Sequence, residues 1–440
     1  MTGTFHRVRG ESHRSSRRRA AAVATALGLA LIAGTAAYAR SAGDLDRSFG
    51  HHGLRIVRNA NDASQAVAVG RKGRIVVAGG RTVARLRRNG RLDRSFADGG
   101  IASIGTPSRL YAEGYSSVAV GREGGVFVAG ETCTADERRC GFAVSHLKRD
   151  GDVDHSFGHD GTASVEFPGG ESFSPSIAIA RGGKLLVTGL ICPSGYLHDC
   201  NLALARLDRH GRLDSSFGNG GKLSASVGPS GKCRSVRAQL SPMALDSRGR
   251  IVMGAFCGHT TSLARFTPSG HFDRSFGRRG KVNRRHLGIS FLTALTVDPK
   301  DRIDVAGPRH SNAYRVVRFQ PNGKVSSSFG NHGNATAKFP EKQVEYVYPT
   351  SAAVDSRGRI VVAGTAFGLS FSRFTPHGHV DRHFGQRGQV VTGRSVGGGS
   401  KGQGLRGATS VAIDRRDRIV ASGYQRKNRE HHFAVVRLLG

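Results

Sequence analysis

Residues 64–80 read SQAVAVGRKGRIVVAGG: a run of small and β-branched residues, a break at Gly70–Gly73, then a second apolar run from Ile75. The pattern predicts two short strands joined by a tight turn. The same hairpin returns as AVDSRGRIVVAG at 353–364 and AIDRRDRIVASG at 412–423. After it comes a strand such as ALARL at 203–207, where polar and apolar positions alternate, then a turn such as DRHG, a phenylalanine motif, and a short strand such as GKLSAS. Each unit therefore predicts four strands, and no helical period separates one unit from the next.

The phenylalanine motif sets the period. LDRSFG at 45–50 recurs with small changes so that Phe49, Phe96, Phe157, Phe217, Phe276, Phe329 and Phe384 lie 47, 61, 60, 59, 53 and 55 residues apart. A recurrence at this length marks repeated supersecondary units. Seven four-stranded units predict an all-β, seven-bladed β-propeller of antiparallel blades occupying residues 40–440 as a single domain. The last unit ends at its third strand, AVVRLLG, whereas the repeats begin with a motif and the lone strand GLRIVR at 53–58. Pairing these two would close the ring and leave no bare sheet edge at the join.

Across roughly residues 43–440, the stretches LDRSFG, GRIVVAG and ARLRRNGRLDRSF resemble the delta-60 repeat family, and the hairpins resemble those of NHL-type propellers. The resemblance implies an exported bacterial repeat protein with a propeller fold; it carries no settled activity or catalytic residues. Ser326, Ala97 and His383 each depart from the repeated motif once.

The repeated residues read as structural. Asp and Ser bond nearby amides and shape the turn, Gly permits positive φ, and Phe plugs the space between blades. A partner for the Asp is visible too. Six third strands carry Arg just before their last apolar residue (Arg85, Arg206, Arg265, Arg318, Arg373 and Arg437), while His146 stands there in the second unit. A buried carboxylate needs such a partner, so a repeated Arg–Asp pair is expected.

Charge adds a second regularity. The chain has 66 Lys and Arg against 32 Asp and Glu, a formal net charge of +34, with no Trp. Each hairpin turn carries a basic residue: Arg71 and Lys72, Arg122, Arg181, Arg248, Lys300, Arg357, and Arg415 with Arg416. In a meandering blade these turns share one end with the phenylalanine motifs, so one face should be ringed with positive charge. Such a face suits an anionic polymer through many salt-sensitive contacts, or simply keeps the hairpins solvated. No stacking aromatics are interleaved with the charges, so no specific nucleic-acid recognition is expected.

Residues 1–39 join a basic region to the apolar run AAAVATALGLALIAGTAAYA, which ends in an A-x-A pattern. This reads as an export signal, with an uncleaved membrane anchor as its rival; SSRRRA at 15–20 resembles a twin-arginine signal without the usual large apolar residues behind it. The remainder is expected outside the cytoplasm, at the cell envelope or beyond, as a monomer whose partners are an anionic polymer or another envelope protein. Six cysteines fit an exported chain with disulfides, expected as Cys133–Cys140, Cys192–Cys200 and, left over, Cys233–Cys257. There is no C-x-x-C, and neither a metal nor a cofactor is expected.

The opposite end carries the loops that differ between units. There Asp62, Glu113, Tyr115, Glu171, Arg234, Arg237, Glu345, Tyr346 and Arg406 are candidates for a site at the channel mouth. A channel-site hydrolase, lactonase or lyase would draw its acid, base or ligand from Glu113, Glu171 or Glu345. The histidine pairs 51–52 and 431–432 would approach one another on ring closure. No nucleophile or metal motif accompanies any of these, so a non-enzymatic binding or scaffolding propeller is the favoured reading and the enzyme its alternative.

Overall fold

The computed structural model describes residues 41–58, 63–105, 110–134, 140–168, 170–193, 199–228, 242–340, 347–366, 368–392, 405–427 and 430–440. They build seven four-stranded antiparallel sheets arranged as the blades of a propeller. Blade 1 comprises Ala66–Val69, Ile75–Gly79, Thr82–Leu86 and Ile101–Ser103, and blade 5 comprises Ala294–Val297, Ile303–Arg309, Ala313–Phe319 and Asn334–Lys338. The first strands of the others start at Leu110, Glu171, Met243, Tyr348 and Leu405, for blades 2, 3, 4, 6 and 7. The segment 1–39 lies outside the described residues, which contain no helix long and apolar enough to cross a membrane.

First strands of neighbouring blades touch directly. Ser117 Oγ in blade 2 accepts the amide of Ile177 in blade 3 at 3.1 Å, and Ser351 Oγ in blade 6 accepts that of Val411 in blade 7 at 3.2 Å. Second strands are sandwiched between blades, which is why IVVAG, LLVTGLIC and IVMGAFC are buried along their whole length instead of alternating. The apolar core accordingly forms layers between blades, as where Leu186, Leu202 and Phe217 of blade 3 meet Ile251, Met253 and Phe266 of blade 4.

Ring closure follows the expected pairing. Leu54–Val57 is the outer strand of blade 7, antiparallel to Glu430–Leu438 with Leu54 opposite Val436 and Val57 opposite Phe433. The turn before it is split between two parts of the chain. The bridge Leu86 to Leu92 closes this turn in blade 1, and at the seam its counterpart is Leu438 to Leu45.

The motif residues fasten each blade to the next. All seven phenylalanines are at most 2% exposed. The guanidinium of Arg85 lies 4.4 Å above the ring of Phe96, that of Arg206 4.9 Å above Phe217, and that of Arg437 4.6 Å above Phe49. Each arginine also bonds the motif carboxylate of its own blade: Arg85–Asp93 at 3.0 Å, Arg206–Asp214 at 2.7 Å, Arg265–Asp273 and Arg373–Asp381 at 2.8 Å, Arg437–Asp46 at 2.9 Å. In blade 2, His146 Nδ1 meets Asp154 at 2.8 Å. A third bond crosses to the following blade, where Nη1 of Arg206, Arg265 and Arg318 donates to the carbonyls of Pro268, Pro321 and Pro376. One side chain thus satisfies a buried carboxylate, covers an aromatic face and clamps the neighbouring turn.

Blade 5 departs instructively. Ser326 replaces the motif Asp, and Arg318 turns to Asp304 on the second strand with two parallel bonds of 2.7 and 2.8 Å. The equivalent position is Val76 in blade 1 and Val361 in blade 6. Here the carboxylate has changed strands while the pair persists.

Backbone approach explains the glycines. The amide of Gly50, just after Phe49, donates to Asn89 O in the next blade at 2.8 Å, and a Cβ on Gly90 would come within 2.9 Å of the Phe49 ring. At the last junction the same bond runs from Gly385 to Ala42 O at 2.7 Å. Ala97 occupies the Gly50 position with φ of 43°. Ala97→Gly is therefore expected to stabilise the propeller by about 1 kcal/mol, read as a higher urea midpoint with an unchanged slope.

Of the cysteines, Cys192 and Cys200 form a disulfide. Cys257 is also disulfide-bonded, and its expected partner, Cys233, lies outside the described residues. Cys133 and Cys140 face one another in the register of blade 2, but their side chains are outside the described set.

Candidate anion-binding face

The hairpin turns are built by aspartates. In blade 4, Asp246 Oδ1 accepts the amides of Arg248 and Arg250 at 3.0 and 2.9 Å, while Oδ2 accepts Arg250 Nε at 2.5 Å. Asp298, Asp355 and Asp414 repeat this with Arg302, Arg359 and Arg418. Blades 1 and 3 have Gly70 and Ala180 in place of the turn Asp, and there Arg74 and Lys184 bond the motif carboxylates Asp93 and Asp214 at 2.9 and 2.6 Å. The basic residue that opens the second strand is thus neutralised in every blade that has one.

The turn tips differ. Arg71, Lys72, Arg122, Arg181, Arg248, Lys300, Arg357, Arg415 and Arg416 are all exposed, and none makes an ion pair among the described residues. Adjacent turns are joined: Arg181 Nη2 donates to Ser247 O at 2.6 Å, Ser247 Oγ to Asp301 at 2.9 Å, and Ser356 Oγ to Asp417 at 2.6 Å. Burial pushes the Asp417 carboxyl up, but the bonds from Ser356 and the charges of Arg359 and Arg357 outweigh it and hold the group below its usual range. The two turn acids are thereby engaged with serines of the preceding blade, and the arginines and lysines between them face solvent. Exposed Arg47, Arg94, Arg274 and Arg382 of the phenylalanine motifs extend the charge on the same side.

At the seam this face deepens into a cleft of about 420 Å³ lined by Ser48, Arg87, Arg88, Asn89, Arg416, Arg418 and Arg437. Sequence reasoning counted the hairpin tips and passed over Arg87 and Arg88, although two consecutive arginines stand out in LRRNG. Their significance depends on which hairpin they face, and that is set by closure of the ring.

The channel-mouth candidates are mostly beyond description: Asp62, Arg234, Arg237, Glu345 and Tyr346 lie outside the described residues. Glu113 and Glu171 belong to the first strands Leu110–Val120 and Glu171–Ile179, with side chains outside the described set. Arg406 is exposed on Leu405–Ile413. Tyr115 is 2% exposed in the core layer between blades 1 and 2, its hydroxyl 2.6 Å from Ser145 Oγ, and burial pushes its pKa up. The histidine pairs sit at opposite ends of the seam strand, His51 bridged to Leu54 and His432 next to Phe433, which faces Val57. Among the described residues no group of three or more His, Cys, Asp or Glu is placed to hold a metal ion.

Comparison with known proteins agrees with the architecture. Residues 73–96, from the blade 1 hairpin to Phe96, match the family described as a domain of unknown function (DUF5122) beta-propeller. Virginiamycin B lyase from Staphylococcus aureus is similar in structure, with a TM-score of 0.50 at 10% identity, over 87% of this chain and 98% of that one. The PQQ-bound aldose sugar dehydrogenase from Streptomyces coelicolor gives 0.44 at 13% identity, over 70% and 90%. At such identities the likeness is one of fold. No curated protein matches the chain by sequence.

Proposed function

We propose that the chain is an exported, non-catalytic binding propeller whose hairpin-turn face holds an anionic polymer of the cell envelope or its surroundings. The observation that carries this is the ring of exposed turn-tip cations, none with an ion pair among the described residues, on turns bonded to one another between blades 3 and 4, 4 and 5, and 6 and 7, while the basic residues behind them are neutralised. Fixed turns present the charges at a regular spacing, so a flexible polyanion would engage several at once without a shape-specific pocket. The apolar segment before the propeller and the Cys192–Cys200 disulfide support an extracytoplasmic location. A channel-site enzyme would rest on Glu113, Glu171 and Glu345, and no described feature favours it.

Retention of the full chain on immobilised heparin is the test. Arg122, Arg248 and Arg357 changed together to Glu should lower the eluting salt markedly and reduce the slope of log K against log salt by about one per lost contact. Elution unchanged by the triple substitution would remove the reading.

A further inference from the structure

We propose that the seam cleft is a discrete site for one dianionic phosphoryl group, a phosphate monoester or diphosphate, held between blades 7 and 1. The inference deepens the polyanion reading by giving one charged group of a ligand a specific seat.

The cleft lining contains five arginines, Arg87, Arg88, Arg416, Arg418 and Arg437, and no carboxylate. The balancing acids are set behind them. Asp46 lies 2.9 Å from Arg437 and 3.3 Å from Arg418, and its side chain is 3% exposed. Asp414 lies 2.6 Å from Arg418 and Asp93 3.5 Å from Arg87, with side chains 7% and 3% exposed. Asp46 and Asp414 offset Arg437 and Arg418, whereas Asp93 is shared with Arg85 and Arg74 at 3.0 and 2.9 Å, so the cleft keeps an excess of at least two positive charges; Arg88 and Arg416, exposed and without an ion pair among the described residues, carry them from blades 1 and 7.

Position is fixed from behind. The guanidinium of Arg437 stacks over Phe49, donates to Ser48 Oγ at 3.2 Å and to the carbonyl of Arg88, and so ties the two blades together under the cleft floor. Guanidinium forks on several sides suit the tetrahedral oxygens of a phosphoryl group better than a single planar carboxylate. Three other junctions differ in sequence: Thr267-Pro268, Gln320-Pro321 and Thr375-Pro376 stand where the seam has Arg87-Arg88, so the junctions of blades 3 with 4, 4 with 5 and 5 with 6 lack this wall. The junction of blades 1 and 2 comes nearest, with Lys148-Arg149 at that position and the Arg149 carbonyl held by Arg85.

Isothermal titration of the full chain with inorganic pyrophosphate tests the site. One equivalent should bind saturably, raise the melting temperature, and bind at least tenfold more weakly in Arg88→Ala/Arg416→Ala. Both residues are exposed and Arg88 clamps Arg437 through its backbone, so the unliganded melting temperature of this variant should match the parent. Non-saturable binding, or affinity unchanged in the double variant, would overturn the proposal. The Arg122/Arg248/Arg357 triple variant separates the two readings: it should elute from heparin at markedly lower salt and keep pyrophosphate affinity. Pyrophosphate binding without any heparin retention in the parent removes only the polymer reading; heparin retention without pyrophosphate binding removes only the seam site.

Discussion

Asp304→Ala should destabilise the propeller by about 3–5 kcal/mol, read as a fall in the urea midpoint, because it leaves the fully buried guanidinium of Arg318 without its bidentate partner. Asp298, 3.6 Å from Arg318 Nη2, offers partial relief; it already holds Arg302 at 2.5 Å, which places the effect towards the lower end. The informative variant is the double change Asp304→Val with Ser326→Asp, which returns the carboxylate to the position used in blades 1, 4 and 6. It should recover most of the loss. A double variant no more stable than Asp304→Ala would show that the two placements are not interchangeable.

Acid should unfold the ring steeply below about pH 4. For Asp46, Asp93, Asp154 and Asp273 burial pushes the carboxyl up, but the bonds from the motif serine and the neighbouring arginine or histidine outweigh it and hold each below its usual range. Asp214 behaves alike, with Lys184 the first of its opposing partners. An unfolded aspartate takes up a proton near pH 3.9, where these folded ones resist it, so their stabilisation is present above that pH and is lost as pH falls. Asp304 has the opposite sign. Burial pushes it up to about 6 against the pull of Arg318, so its contribution is complete below about pH 4 and is lost as pH rises through 6. Urea midpoints from pH 2.5 to 7 should therefore drop sharply at the acid end and decline gently between 4 and 6, and the gentle decline should vanish in the Asp304→Val/Ser326→Asp variant. A midpoint flat down to pH 3 would contradict the assignment.

The repeated part of this architecture was legible because each blade needs the same local solutions. Phe49 and its six counterparts mark the period, the β-branched hairpins give the sandwiched strands, and the matched Arg and Asp positions announce their pair. What escaped was whatever depends on a neighbour in space. The clamp from Arg206 to Pro268 O ends on a backbone carbonyl, and a carbonyl has no residue signature. Asp304 was visible as an isolated acid in the run IDVAG, yet its meaning required pairing it with the missing acid at Ser326, twenty-two positions away. The exposure of the basic hairpin tips was legible because a hairpin tip is a local feature. The seam cleft was not, because Arg88 and Arg416 become neighbours only through the ring.

The seam also bears on how the molecule folds. Six blades draw their strands from one continuous stretch of chain, so their hairpins form from nearby residues, whereas the bond from Arg437 to Asp46 joins positions 391 apart. Contacts of that separation carry the largest loop-closure entropy and accumulate last. Until they form, the third strand of blade 7 has an open edge, the face of Phe49 awaits its arginine, and Gly385 has no carbonyl to meet. Ring closure is therefore expected to be the costliest step of assembly in loop-closure entropy, and an edge left open before it would be where association between chains competes with folding.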